Sequence, residues 1–216
     1  MRPEVWAPRA GAVALVTGER EVAMRRCRGG WFTSDVELSP GDRYAFRLDG
    51  GEPLPDPRAL SLPDGVHAPA AVVDPSLLAR DTGWPGMGLR GAVLYELHVG
   101  TFTDAGTFDA AIGRLDHLVD LGVEAVELMP VAAFPGDRGW GYDGVALYCT
   151  HEAYGGLAGL VRLVDACHAR GLGVLIDAVH NHLGPEGNYL SRFGPYFTDR
   201  HATPWGDAVN LDGPGS

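Results

Sequence analysis

The stretch Gly171-Leu-Gly-Val-Leu-Ile-Asp-Ala-Val-His-Asn-His182 decides the fold. Val174 to Ile176 is an apolar run bounded by glycine, the pattern of a short buried strand. Asp177, His180, Asn181 and His182 follow at once. A strand that leaves a core and opens into titratable residues suits the carboxyl end of a parallel α/β sheet or barrel, where ligands bind. Asp and His are also metal ligands. A polar loop with locally satisfied hydrogen bonds accounts for the same residues. On these residues alone a ligand site and a bland loop are equally good readings, with a metal site behind them.

Working outward, a helical period precedes the strand: Leu157, Leu160, Val161, Val164, Cys167 and His168 share one face, and Gly171 stops the helix. The spacing predicts helices over 107–121 and 157–170. Thr107 is placed to cap the first, Asp109 lies in its first turn, and Gly122 sits just past its end. Ala92 to Val99 and Val123 to Met129 read as two further strands. A long segment, Val131 to Gly156, carries Phe134, Trp140, Tyr142, Tyr148 and Tyr154. The order is β-α-β-loop-α-β, which implies a parallel sheet with right-handed crossovers. The long segments follow strands, as on the active face of a (β/α)8 TIM barrel. No Gly-x-Gly-x-x-Gly follows a strand, so a dinucleotide site has no support.

The first 50 residues read as all-β. Val13–Val16, Gly30–Thr33, Asp35–Leu38 and Tyr44–Leu48 are short runs broken by turn residues, the pattern of a small sandwich. Ser39-Pro-Gly-Asp42 is a turn by its chemistry. Trp6, Trp31 and Phe32 are more readily core than sugar platforms, since large aromatics dominate core burial. From Gly50 to Pro75 six prolines stiffen the chain into an ordered linker. The expected division is a β-sandwich with its linker over residues 1–85, then α/β over 86–216, with the boundary near Asp81 to Gly91.

The chain has 216 residues, 45% of them hydrophobic, so a substantial core can form. No apolar run approaches the ~20 residues of a membrane span. The N-terminus shows no hydrophobic signal region. Cys27, Cys149 and Cys167 fit no metal spacing or disulfide framework and read as buried free thiols, so a reducing, cytoplasmic setting is expected. The formal net charge of −11 argues against nucleic acid as a partner. All 17 basic residues are arginine, which we take as coding bias. No feature sets an oligomeric state.

The ordered motifs resemble the α-amylase superfamily (glycoside hydrolase family 13) and, within it, the maltooligosyltrehalose trehalohydrolases. Asp177-Ala-Val-His-Asn-His182 is similar to the first signature of that superfamily. Tyr95-Glu-Leu-His-Val-Gly-Thr-Phe-Thr103 resembles its first barrel strand, and Trp140-Gly-Tyr-Asp143 its aromatic loop. Gly184-Pro-Glu-Gly-Asn-Tyr189, Gly194-Pro-Tyr-Phe197 and Thr203-Pro-Trp-Gly206 resemble the segment after the third strand. Val5-Trp-Ala-Pro8 resembles the start of the preceding sandwich. Pro55-Asp-Pro57, Gly65-Val-His67 and Val72-Val-Asp-Pro75 resemble the trehalohydrolase linker. The likeness runs along essentially the whole chain.

The resemblance implies a β-sandwich followed by a (β/α)8 barrel, of which this chain holds about three strands. It implies a maltooligosyltrehalose or related α-1,4-glucan substrate and release of trehalose. Tyr142 would stack on the sugar whose bond is cleaved, His182 would bond its hydroxyl, and Asp177 would hold the site together, with Trp140 beside them. No cofactor and no metal are implied. The nucleophilic Asp, the acid/base Glu and a third Asp of the family lie on later strands, so no catalytic carboxylate is expected within residues 1–216. Glu152 and Glu186 read as ordinary loop residues. A glycogen branching or debranching enzyme fragment, or an inert glucan-binding module, are the alternatives.

Overall fold

The computed structural model describes residues 1–78 and 83–213. Asp81, where the expected boundary begins, and Ser216 therefore lie outside the described residues.

Two antiparallel sheets form the first region. One is Glu4–Trp6, Trp31–Thr33 and Arg25–Arg26, with Trp31–Thr33 in the middle. The other runs Arg20–Ala23, Val13–Thr17, Arg43–Leu48, Pro53–Leu54, and Ala70–Ala71 also pairs with Arg43–Leu48. Alternation sends Val13, Leu15, Tyr44 and Phe46 inward, where they meet Val5 and Phe32 of the other sheet. The sandwich is thus built as the period-2 pattern predicts.

Two expectations change here. Asp35–Leu38 is not a strand, although Leu38 is buried. The Ser34 hydroxyl accepts from the Val36 N–H at 3.1 Å, a local turn that competes with a ladder. The Pro-rich stretch is ordered but is no spacer. It folds back on the sandwich and buries Leu54, Ala59, Leu62, Val66, Ala70 and Val72 in the same core.

The second region centres on three parallel strands, Leu94–Leu97, Ala125–Leu128 and Gly173–Ile176, with Ala125–Leu128 in the middle. The first strand is shorter than expected, because Val99 already belongs to a helical turn, Val99–Phe102. Thr107 caps the next helix as expected, its Oγ1 accepting from the Ala110 N–H at 3.2 Å. That helix is not continuous: Phe108–Ile112 and Leu115–Asp120 are separated at Gly113, where glycine weakens the helix. Gly122 follows with φ 81°, the left-handed conformation that suits glycine.

Gly156–His168 is the long helix, but its most buried face is Gly156, Gly159, Leu163 and Cys167. The predicted face, Leu157, Leu160, Val161 and Val164, is only half-buried, while Cys167 belongs to both. The reason is contact distance: a Cβ on Gly159 would lie 3.1 Å from Phe108, so glycine lets this helix approach Phe108–Ile112 closely.

Two antiparallel hairpins interrupt the strand–helix series. Ala132–Ala133 pairs with Ala146–Thr150, and Phe197–Thr203 with Gly206–Val209. The first feeds Ala133, Val145, Ala146 and Cys149 into the sandwich core, together with Phe193. A second core lies between the parallel sheet and its helices, around Leu97, Phe108, Val126, Leu128, Tyr154 and Leu163. Among the described residues no helix is long and apolar enough to cross a membrane. Cys149 and Cys167 are buried free thiols, and burial raises them to about 12 and about 11, too high for ready ionisation. Cys27 is only half-buried, unlike the expectation.

Candidate active site

Asp177 is the residue just past the third parallel strand. Its N–H still donates to the Leu128 carbonyl at 2.9 Å, so the ladder fixes where its carboxylate begins. The in-register pairing of Glu96 with Glu127, and the alternation of Leu175 and Asp177, puts Glu96, Glu127 and Asp177 on one face of the sheet.

Tyr142 reaches this face from the aromatic loop. Its hydroxyl donates to Asp177 Oδ2 at 2.8 Å. That bond is the first cause that pushes the Tyr142 hydroxyl pKa up, followed by burial and by the charges of Asp177, Glu96 and Glu127. The loop is held close to the second strand end by Gly141. It has φ 86°, and a Cβ there would lie 2.2 Å from the Pro130 carbonyl oxygen. Only glycine meets both conditions.

His182 is buried behind them, at 7% exposure. Its Nε2 lies 3.0 Å from the Tyr142 carbonyl, which can only accept, so Nε2 carries the proton. Nδ1 faces the Asn181 side-chain amide. The Trp205 indole stacks on the imidazole with centroids 4.5 Å apart and planes 18° apart. Trp205 stands at the turn of the last hairpin, whose Val209 N–H donates to the Asn181 carbonyl at 3.2 Å.

The structure therefore brings Tyr142, Asp177 and His182, the residues that the family resemblance grouped, together. Trp140, 73% exposed, stands on the same loop. Trp205 is the member that sequence reasoning missed. Its signal was the turn sequence Thr203-Pro-Trp-Gly206, which puts a large ring at a hairpin tip. Glu152 and Glu186 lie elsewhere, on a cavity of about 390 Å³ between residues 62–67 and the 133–137 and 151–153 segments. Glu152 accepts from Ser61 Oγ at 2.7 Å, and Glu186 lies 3.5 Å from His67 Nε2. Among the described residues no group of three or more His, Cys, Asp or Glu side chains could hold a metal ion.

Glu96, Glu127 and Asp177 thus share one sheet face, and the half-exposed Tyr142 meets it from the loop after the second strand. Residues 74–202 match the family model described as alpha amylase, catalytic domain. The chain belongs to the α-amylase family. Within this family it is 56% identical over 214 residues to the malto-oligosyltrehalose trehalohydrolase of Mycobacterium tuberculosis, a match covering 97% of this chain and 37% of that protein. The enzyme of the same name from Saccharolobus solfataricus is 43% identical, over 98% of this chain and 38% of that protein. A 1,4-alpha-glucan branching enzyme of Xanthomonas axonopodis is 31% identical, over 93% of this chain and 31% of its own length. A crystal structure of a candidate alpha amylase from Salmonella typhimurium superposes with a TM-score of 0.92 at 45% identity, covering 98% of this chain and 37% of that one. The chain thus spans little more than a third of the trehalohydrolases that it matches.

Proposed function

We propose that these residues are the N-terminal part of a glycoside hydrolase that cleaves the α-1,4 bond next to the trehalose end of maltooligosyltrehalose and releases trehalose. The observation that carries this reading is the gap in identity. Similarity to trehalohydrolases lies at 43–56%, against 31% for the branching enzyme. In this reading residues 1–85 are a β-sandwich with its linker, and residues 86–216 begin a (β/α)8 barrel whose three strands are Leu94–Leu97, Ala125–Leu128 and Gly173–Ile176.

The residues present supply the receiving half of the site. Tyr142 offers the face of its ring to the sugar whose bond breaks, and Asp177 orients the phenol through the 2.8 Å bond. His182 holds the loop through the Tyr142 carbonyl, so it can bond a sugar hydroxyl only by releasing that carbonyl or the Asn181 side chain. Trp140 extends the aromatic surface. A retaining glycosidase further needs a nucleophilic carboxylate and an acid/base carboxyl about 5–5.5 Å apart. These are assigned to the barrel strands beyond the three seen here.

Product analysis of the full-length protein on maltooligosyltrehalose tests the proposal. Free trehalose is expected, together with a malto-oligosaccharide whose new reducing end keeps the α configuration of the bond that was cleaved. Transfer of glucan to a new branch point without trehalose would assign the branching activity instead.

A further inference from the structure

A second histidine holds the same aromatic loop. His98 follows the first parallel strand, at the start of the turn Val99–Phe102. Its Nε2 lies 2.8 Å from the Gly139 carbonyl and 3.0 Å from the Tyr154 hydroxyl, and its Nδ1 lies 3.0 Å from Thr101 Oγ1. A carbonyl accepts only, so the proton is on Nε2 and points at Gly139, while Nδ1 receives the Thr101 hydroxyl.

Tyr154 makes the same carbonyl its own acceptor at 3.3 Å. It is 2% exposed, and burial pushes its phenol up to about 12, so it stays a donor at neutral pH. Its ring is packed edge-on against Phe108, Phe134 and His98. Gly100 leaves the room for this pairing: a Cβ there would lie 3.0 Å from His98 Cε1 and 3.1 Å from Tyr154 Cε1.

Gly139 is three residues before Tyr142. The loop between is therefore gripped at both ends by an imidazole Nε2–H. His98, from the first strand end, takes the Gly139 carbonyl, and His182, from the third, takes the Tyr142 carbonyl. The Pro130 carbonyl, from the second strand end, packs on Gly141 between them. All three parallel strands thus fix one four-residue loop.

We propose that His98 is a positioning residue for the sugar platform, which with His182 clasps residues 139–142 so that the Tyr142 ring and hydroxyl are set before substrate arrives. This rests on the function proposed above. The physical requirement is pre-organisation: a ring that binds a sugar, and whose phenol Asp177 orients, acts only when the backbone beneath it is fixed.

The experiment compares His98→Leu and His98→Gln in the full-length protein. Leucine keeps apolar volume and removes the donor; glutamine restores an amide N–H near the place of Nε2. On malto-oligosaccharides ending in trehalose, His98→Leu should lower kcat/KM on the order of 10²-fold, the scale of an ångström of misplacement. The loss should show in both KM and kcat, because Tyr142 touches the same ring before and during reaction. His98→Gln should recover most of it. A second readout needs no substrate. The downfield imidazole N–H resonance of His182, held by the Tyr142 carbonyl, should be lost or shifted in His98→Leu and kept in His98→Gln. Wild-type kcat/KM with an unmoved His182 resonance in His98→Leu overturns the clasp. So does equal loss in both variants together with an equal fall in Tm, which would make His98 a folding residue. A wild-type protein that releases no trehalose overturns the proposed function instead, and the His182 resonance then decides the clasp by itself.

Discussion

The two regions of this chain treat apolar surface in opposite ways. Of fifteen exposed large hydrophobic residues among the described residues, Met1 and Leu78 lie in residues 1–78, and the other thirteen belong to residues 83–213. The sandwich core is closed, because each sheet covers the other and the side is sealed by the Pro-rich stretch together with Ala133, Val145, Ala146, Cys149 and Phe193. The parallel sheet has one covered face and two strand edges, Leu94–Leu97 and Gly173–Ile176, where Leu94, Tyr95 and Ile176 are exposed. Apolar area left in water forgoes roughly 25 cal/mol per Å². Such exposure at sheet edges marks surface that further structure or a ligand covers. The closed region is thus a scaffold. The open region holds the exposed rings of Tyr95, Trp140, Tyr142, Tyr148 and Trp205.

The contrast breaks first under truncation of side chains. Phe46, fully buried between the sheets, should cost about 3–5 kcal/mol on replacement by Ala, through lost burial and a cavity. Ile176→Ala, at the open edge, should cost about 0.5 kcal/mol or less. Denaturant unfolding of both variants checks this; equal costs would mean that the edge strand is covered after all.

A second, smaller contrast lies in pH. Burial raises the Asp56 pKa above its ordinary 3.8, against the bonds from Tyr44 and the Arg58 N–H. Its contribution is fully present below 3.8 and is lost as pH rises through the raised folded value. His151, stacked on Phe134 in the second region, goes the other way. Burial lowers its pKa below 6.5, against the pull of Asp137 and Asp143. Its contribution is present above 6.5 and is lost as pH falls through the lowered folded value. Tm measured across pH should therefore lose its decline on the rising side in Asp56→Asn, and its decline on the acid side in His151→Leu. A wild-type slope retained in either variant assigns that slope to another group.

The smallest effect is expected at the surface. Arg162 donates twice to Asp109, at 2.8 and 2.7 Å, joining the two helices that pack through Gly159. The bond holds the Asp109 carboxyl below its ordinary range. Both groups stay in water, so Arg162→Ala should lower Tm least of these variants, and added salt should shrink the difference further. A loss as large as that of Phe46→Ala would show that the helix pair depends on charge rather than on the close glycine contact.

Local chemistry in the sequence was enough for the elements that depend on it. Alternation placed Tyr44 and Phe46 in the core, Thr107 and Gly122 bounded a helical segment, and the step from Ile176 to Asp177 marked a strand end that opens into titratable residues. Tertiary structure decided the rest, because it turns on contacts between residues far apart in the chain. Nothing near Gly159 says that Phe108 will press on it, so the buried face of the long helix was shifted by a partner 51 residues away. Nothing near Gly139 says that His98 and Tyr154 will share its carbonyl. Nothing near Trp205 says that its ring will lie on His182. The sequence by itself determined the strand ends and the residue types that stand on them. Only the folded chain determined which side chains meet there, since a loop's course is set by the carbonyls and rings that happen to receive it.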